Sequence, residues 1–234
     1  MPVESSRFEN QPFFSTTADM SKPGEALRVV QFAIEKMGGL DYLILNHAFL
    51  AKFDLWTGSE KNLTMLRKMM EVNFQAFVEL ASYSIPELAK SRGSIAVVSS
   101  AAGKYPIPYM TTYSASKHAL NGFFGGLRHD FMMADPPLDI SVTYCNLGLI
   151  ATEAGKKLFE YRGLGYVLDL AGAETAEDTA YAILKGTSLR QREIYHPRFK
   201  QLLEILPIIK ELFFESIDAY MVDLFKGVAK EGLV

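Results

Sequence analysis

Two residues four positions apart have side chains suited to proton transfer: Tyr113 and Lys117, in the segment YSASK. In a helix, residues at this spacing share one face. A phenol has a reference pKa of about 10, and a nearby ammonium favours its ionised form and lowers that pKa. Such a pair can protonate a developing alkoxide or deprotonate an alcohol. The spacing alone is weak evidence, because in most proteins it marks an exposed pair on a helix.

Ser100 strengthens this hypothesis because it follows an apolar run, SIAVV over residues 94–98, that is typical of a buried strand. Ligands of parallel α/β sheets bind at the carboxyl ends of the strands. A serine hydroxyl at that place can hydrogen-bond a substrate oxygen and hold it against the tyrosine. The alternative is a serine that only serves the turn after the strand.

The elements that must position these side chains alternate along the sequence. Continuous apolar runs suit strands that are buried on both faces. The predicted strands are 40–46, 94–98 and 140–145, with weaker candidates at 12–16 and 193–196. The predicted helices are 25–37, 60–90, 113–133 and 176–189. This alternation predicts a single doubly wound α/β domain with a parallel sheet.

The C-terminal part of the chain differs from the rest. Residues 199–214 and 217–228 carry apolar residues at helical spacing, which predicts apolar helices at about 199–230. These helices either pack on the core or a second subunit, or form a surface that dips into a membrane. The mixed charges around them favour packing.

Length and composition restrict the class of protein. The chain has 234 residues, is 49% hydrophobic and carries a net charge of −3, which suits one sizeable core and argues against nucleic-acid binding. The single cysteine, Cys145, cannot form an internal disulfide, is typical of a reducing compartment and is expected to be a small buried hydrophobe. The sequence shows no apolar run long enough for a membrane-spanning helix, no secretory signal and no predicted metal site.

The segment GSIAVVSSAAG, followed by YSASKHALNGFFGGLR, resembles the active-site half of the short-chain dehydrogenase/reductase family. The resemblance implies a Rossmann-like fold in which Tyr113 is the acid/base and Ser100 orients the substrate carbonyl. It implies that Lys117 lowers the pKa of Tyr113 and holds the nicotinamide ribose. Asn73, in MEVNF, matches the family's helix asparagine, which anchors a proton-relay water.

A closer resemblance covers roughly residues 18–195. The segments GGLDYLILNHA, MEVNF, VVSSAAGK, YSASKHALNGFF and CNLGLIATE together are similar to the 11β-hydroxysteroid dehydrogenase branch of that family. This implies an NADP(H)-dependent oxidoreductase, with NAD(H) as the alternative cofactor, that interconverts a hydroxyl and a ketone on a steroid or similar lipophilic substrate.

The branch resemblance also implies two sets of binding residues. Besides Tyr113 and Lys117, those implied at the cofactor are Asp19, Met20, Asn46, His47, Ala48, Ile150, Ala151, Thr152, Glu153 and Ala154. Those implied at the substrate are Ser100, Ile107, Met110 and Leu149. His47 has a second interpretation, as a loop histidine whose hydrogen bonds are satisfied, and no catalytic role is assigned to it.

The resemblance further implies a homodimer formed through helices 60–90 and 113–133. It implies an endoplasmic reticulum membrane location, although the sequence shows no anchor and a cytosolic location is the alternative. Membrane association through the C-terminal helices is a further expectation.

One family feature is not found in the sequence. None of the 17 glycines has the TGxxxGxG spacing of the family's phosphate loop, which places backbone N–H groups at a helix N-terminus. The family's first strand, helix and second strand are expected before Asp19, so the chain is predicted to be N-terminally incomplete, with a hydrophobic sheet edge exposed.

Three hypotheses therefore stay open. The chain is an active oxidoreductase, or a catalytically impaired isoform that acts by dimerising with full-length subunits, or a binder of lipophilic ligands through its C-terminal apolar face. The intact set of Ser100, Tyr113, Lys117 and Asn73 favours descent from a working enzyme, whereas the missing glycine loop favours an inactive chain.

Overall fold

The computed structural model describes residues 12–50, 54–153, 155–157 and 173–197. Within them, four parallel strands form one sheet in the order β1-β2-β3-β4. The strands are β1 (Tyr42–Leu45), β2 (Ser94–Val98), β3 (Ser141–Leu147) and β4 (Glu193–His196). The predicted strand at 12–16 is wrong: these residues are exposed and join no sheet, so no burial stabilises an extended pairing there.

Helices separate the strands, as the alternating pattern predicts. They are α1 (Glu25–Met37), α2 (Glu60–Met70), α3 (Ala76–Ser91), α4 (Thr111–Met133) and α5 (Ala176–Ser188). A π-helical turn, Glu71–Gln75, joins α2 to α3, and a short 3-10 helix, Ala101–Gly103, follows β2. The predicted helix over 60–90 is thus two α-helices with a π turn between them.

Both faces of the sheet are covered. Helices α1, α3 and α4 pack on one face, where Leu45, Val97 and Tyr144 point into the larger core cluster. On the other face Val98 and Cys145 pack against Ile183 of α5. Alternate residues of β2 and β3 serve opposite faces, which explains their uninterrupted apolar sequences. The predicted doubly wound α/β fold is confirmed.

Cys145 has the environment that the sequence predicts for it. The thiol is fully buried and unoxidised, and burial raises its pKa to about 12. A thiol of this kind behaves as a small hydrophobic group.

Strand β1 is the edge of the described sheet, since it pairs with β2 alone among the described residues. Tyr42 and Ile44, on the face opposite the larger core cluster, are 51% and 39% exposed. The expected exposed hydrophobic edge is therefore present in the part of the chain that the structure describes.

Two predictions fall outside the described residues: the C-terminal helices at about 199–230, and Ala154. Among the helices that are described, none has the length and hydropathy needed to cross a bilayer.

Candidate active site

The carboxyl ends of the four parallel strands meet at one edge of the sheet, and the candidate site is built there. Ser100 follows β2, and its Oγ accepts a hydrogen bond from the Ala102 N–H at 3.2 Å, which caps the 3-10 helix. Tyr113 lies in the first turn of α4, with its hydroxyl within hydrogen-bonding reach of the Ser100 side chain. The structure thus places the two residues at the same edge of the sheet, and their roles toward a substrate stay predictions.

Lys117 lies one turn further along α4 and is 2% exposed. Its Nζ donates to the Val98 carbonyl at 3.0 Å and lies 5.8 Å from the centroid of the Tyr113 ring and 5.2 Å from that of Phe77. Burial disfavours the charged form and lowers the pKa of Lys117 to about 8. The ammonium therefore predominates at neutral pH but is close to titration.

The pKa of Tyr113 differs from the sequence-based expectation. Burial raises it above its usual value, and the hydrogen bond from Ser100 opposes that shift. Lys117 is not among the causes of this shift, because its ammonium donates to the Val98 carbonyl, and the lowering of the Tyr113 pKa by Lys117 stays a prediction. At neutral pH Tyr113 is protonated, which is the form that can donate a proton.

Asn73 is fully buried in the π-helical turn between α2 and α3. Its Oδ1 accepts from the Phe49 N–H at 2.6 Å, and its Nδ2 donates to the Phe49 carbonyl at 2.9 Å. Nδ2 also lies 3.4 Å from the Ser116 hydroxyl on α4. Asn73 thereby fastens the loop after β1 to the helix that carries Tyr113 and Lys117. Its role with a proton-relay water stays a prediction.

His47 lies in the same loop after β1, between the exposed residues Asn46 and Ala48. Its Nε2 is 3.0 Å from the Val72 carbonyl, which can only accept, so Nε2 carries the proton. The ring packs 4.6 Å from the Phe77 ring, and burial lowers the pKa of His47. This agrees with a satisfied loop histidine.

Two further expected cofactor residues, Asp19 and Met20, precede α1. The exposed Asp19 carboxylate accepts from the Ser21 N–H at 3.1 Å and from its hydroxyl at 2.7 Å, and these bonds lower its pKa. Met20 is half-buried against the larger core cluster. Their contact with an adenine stays a prediction.

The loop after β3 carries the remaining described candidates. Ile150 forms a bridge with Glu174, and the Ala151 N–H donates to the Glu174 carbonyl at 2.8 Å. Thr152 Oγ accepts from the Gly155 N–H at 3.1 Å, and Glu153 is exposed. This loop begins at the same sheet edge as Ser100, as the sequence predicts.

The expected substrate residues lie in the loops before α4 and after β3. Ile107 and Met110 are half-buried in the loop before α4, and Leu149 is half-buried after β3. None of the three lines a pocket of about 330 Å³ beside the first turn of α4. That pocket is lined by Phe49, Leu50, Asp54, Trp56, Lys61, Asn62, Met65, Tyr109, Thr111 and Thr112. Sequence reasoning missed these residues, although several are apolar residues just after β1.

Tyr144, on β3, was also missed. Its hydroxyl lies 2.8 Å from Ser99 Oγ and 2.9 Å from the Lys117 carbonyl oxygen. The sequence carries no signal for this role, because Tyr144 stands in an apolar strand where an aromatic residue suits the core.

Part of the site fits a nicotinamide cofactor. Lys117 has three N–H donors, and the structure gives its ammonium one hydrogen-bond acceptor among the described residues, the Val98 carbonyl. Ribose hydroxyls could accept from the other donors. No described residues form a glycine turn of the kind that holds a diphosphate, so the fit is limited to the nicotinamide-ribose end.

A parallel α/β sheet with a serine, a tyrosine and a lysine assembled at its carboxyl edge defines a Rossmann-like protein with an oxidoreductase-type site. The short chain dehydrogenase family profile matches residues 3–163. The chain belongs to this family.

Relatives with known sequences agree. The chain is 44% identical over 188 residues to a hydroxysteroid 11-beta-dehydrogenase 1-like protein of Gallus gallus, covering 80% of this chain and 62% of that one. It is 41% identical over 186 residues to a protein of the same description from Xenopus tropicalis, covering 80% of this chain and 61% of the relative. The chain thus spans about three fifths of the length of these curated relatives.

Solved structures share the fold. A short chain dehydrogenase from Burkholderia cenocepacia, in complex with NADP, has a TM-score of 0.66 at 20% identity and covers 84% of this chain and 75% of its own. The structure described as ElxO with NADP bound has a TM-score of 0.64 at 21% identity, and the match covers 76% of this chain and 73% of that chain.

Proposed function

We propose that this protein is an NADP(H)-dependent oxidoreductase that interconverts a hydroxyl and a ketone on a lipophilic substrate such as a steroid. The observation that carries the proposal is the contact between Ser100 and Tyr113 beside the buried Lys117, at the carboxyl edge of the sheet. The two hydroxyls lie side by side, and the protonated Tyr113 phenol can transfer its proton to a substrate carbonyl oxygen.

The cofactor assignment rests on the family and on Lys117. When bound, NADPH supplies a hydride to the carbonyl carbon and is left as NADP⁺. The Lys117 ammonium would hold the ribose hydroxyls with the donors that the Val98 carbonyl leaves free. Asn46, His47, Ala48 and the loop after β3 are the candidate neighbours of the nicotinamide, and two NADP complexes among the similar structures support NADP(H) over NAD(H).

Each polar residue has a separate task in ketone reduction. With substrate bound, Ser100 turns its single hydroxyl proton from Tyr113 to the substrate carbonyl and holds that oxygen beside Tyr113. Tyr113 gives its proton to the oxygen as the carbon accepts the hydride, and its raised pKa keeps that proton available at neutral pH. Lys117 stabilises the phenolate that remains.

A lipophilic substrate is supported by the surroundings of the site. The pocket beside α4 presents Phe49, Trp56 and Tyr109, and its volume of about 330 Å³ lies within the range of small-molecule sites. The relatives' descriptions as hydroxysteroid dehydrogenase-like proteins favour a steroid. Ile107, Met110 and Leu149 remain proposed substrate contacts.

Assembly and location follow from the family in the same way. We propose a homodimer through α2, α3 and α4, where the exposed Met132 and Met133 at the end of α4 offer apolar surface. An endoplasmic reticulum location, with membrane association through residues 199–230, is proposed from the branch resemblance.

A second candidate function is a catalytically impaired isoform that acts by pairing with full-length subunits. The observation in its favour is the lack of the phosphate loop among the 17 glycines. Backbone N–H groups at that loop normally receive the diphosphate, so a chain without such a loop would bind the cofactor less tightly.

Titration of the purified chain with NADPH, followed by nucleotide fluorescence, separates the two candidates. The first predicts saturable binding and oxidation of NADPH when a steroid ketone is added. Failure to bind at millimolar NADPH would overturn the enzymatic proposal for this chain and favour the second candidate.

A further inference from the structure

The hydroxyl of Tyr144 lies between the two chain segments that carry the candidate catalytic residues. It is 2.8 Å from Ser99 Oγ, directly before Ser100, and 2.9 Å from the backbone carbonyl of Lys117. The Tyr144 side chain is 3% exposed, so solvent does not compete for these bonds. One buried group thus joins the loop after β2 to helix α4.

The direction of these bonds follows from the groups involved. The Lys117 carbonyl can only accept, so the Tyr144 O–H donates to it, and the Ser99 hydroxyl donates to the phenol oxygen. Burial raises the pKa of Tyr144, which keeps this donor neutral over the physiological range. Both bonds are therefore maintained wherever the proposed reaction runs.

The space around this junction is closely filled. A Cβ added at Gly103 would lie 2.7 Å from Ser99 Oγ and 2.9 Å from the Lys117 carbonyl oxygen. Gly103 thus lets the 3-10 helix approach α4, and Tyr144 closes the junction from the strand side. Neither segment can shift far without breaking a hydrogen bond that buried partners cannot replace.

We propose that Tyr144 is a positioning residue: through the Ser99 hydroxyl and the Lys117 carbonyl it sets the placement of Ser100 relative to Tyr113 and Lys117. It would touch neither substrate nor cofactor. The inference deepens the proposed function and rests on it, because positioning matters only if Ser100, Tyr113 and Lys117 act together.

The variant that tests the proposal is Tyr144→Phe, which keeps the buried ring and removes the hydroxyl. Ser99→Ala removes the hydroxyl that bonds to Tyr144, and it replaces the first variant in the test if Tyr144→Phe fails to fold. Tyr181→Phe is the matched control, since Tyr181 is 64% exposed on α5.

The first readout needs no turnover. Lys117 is titrated by NMR with the lysine ε-carbons labelled. His47, a nearby ionisable group, is followed in parallel through labelled histidine ring carbons. Loosening the junction should let water reach the ammonium, so both variants should raise the pKa of Lys117 from about 8 by roughly half a unit or more. Tyr181→Phe should leave it unchanged.

The second readout is the split between kcat and KM for ketone reduction. Misplacement of a reacting group lowers the rate with little effect on remote binding. Each variant should lower kcat on the order of tenfold, and the KM for NADPH should rise less, because the ribose hydroxyls are only one part of the bound cofactor. The double variant Tyr144→Phe/Ser99→Ala should be no slower than either single variant, because one junction is lost in all three.

The outcomes separate the two proposals. If wild type shows no turnover, the proposed function fails, and the Lys117 titration still decides whether Tyr144 positions it. A Tyr144→Phe chain with lower thermal stability, but with wild-type Lys117 titration and wild-type kcat, would overturn the positioning role.

Discussion

At the scale of single residues, the site depends on two ionisable groups with opposite requirements, the buried Lys117 and the half-buried Tyr113. Burial favours the neutral form of each, so it raises the pKa of Tyr113 and lowers that of Lys117. The neutral phenol suits proton donation. The buried ammonium serves the proposed reaction but opposes folding, because the protein holds a charge in a poorly solvated place.

The cost of the Lys117 charge gives a prediction for stability. Its folded pKa of about 8 lies below the reference of 10.5, so the unfolded chain binds more protons between these values. The free energy of unfolding therefore rises as pH increases through about 8 to 10.5, and the full penalty is present below that window. At pH 7, Lys117→Met should raise the free energy of unfolding by up to about 3 kcal/mol. The thermal midpoint should rise with it.

Circular-dichroism melts at pH 7, 9 and 10.5 measure this effect. The gain from Lys117→Met should shrink as pH approaches 10.5. The control is Lys90→Met: the Lys90 side chain is 71% exposed, so the variant should change the free energy of unfolding at pH 7 by no more than about 0.5 kcal/mol. A Lys117→Met chain less stable than wild type at pH 7 would contradict the predicted cost of the charge.

At the scale of elements, the site depends on close contacts between segments that are distant in sequence. The 3-10 helix meets α4 at Gly103, and the π turn holds the loop after β1 through Asn73. Parallel strands bring these segments to one edge, and the helices between them fix the spacing.

Gly103 provides a prediction about the first contact. In Gly103→Ala the new Cβ would meet the Lys117 backbone at 2.9 Å, which cannot move as a flexible side chain can. We expect a loss of about 1–3 kcal/mol in the free energy of unfolding, measured by urea denaturation. Gly126→Ala, at an exposed position of α4 with no atom within 4 Å, should instead gain about 0.5–1 kcal/mol. Equal effects at both glycines would refute the close approach.

Asn73 provides the prediction about the second contact. Asn73→Ala removes both partners of the Phe49 backbone and should cost about 1–3 kcal/mol. Hydrogen exchange at the Phe49 amide should accelerate more than in the sheet. Gln75→Ala, at an exposed position in the same π turn, should leave that exchange rate unaltered. Unchanged Phe49 protection in Asn73→Ala would show that other contacts hold the loop.

These contacts also mark the limit of prediction from sequence. Apolar runs located four strands, and the parallel-sheet rule placed Ser100 beside Tyr113, because both follow from local pattern. The π turn was missed because its bonds to Phe49 depend on tertiary contact. The raised pKa of Tyr113 could not be predicted, because a sequence motif does not show how deeply a side chain is buried. The hydrogen bonds of Tyr144 could not be predicted either, because its partners are distant in sequence.

At the scale of the whole molecule, the described sheet has a covered interior and an exposed edge. Strands β2 and β3 are buried on both faces, whereas Tyr42 and Ile44 of β1 are exposed beside an edge without a described partner strand. Exposed apolar edge strands promote self-association.

Ile44→Lys should therefore reduce concentration-dependent light scattering of the chain, with the free energy of unfolding changed by no more than about 0.5 kcal/mol. Leu184→Lys is the control, because Leu184 is 54% exposed on α5, away from the edge. Equal reduction by both variants would show that general surface charge, not the β1 edge, governs association.

The central claim is that Tyr113 donates the proton in NADPH-dependent ketone reduction. The most direct measurement compares wild type with Tyr113→Phe for both kcat and the NADPH dissociation constant. Loss of one proton donor should lower kcat by about 10²–10⁴-fold, whereas the NADPH dissociation constant should change far less, because Lys117 is still present to hold the ribose. A Tyr113→Phe chain that reduces the ketone as fast as wild type would contradict the account.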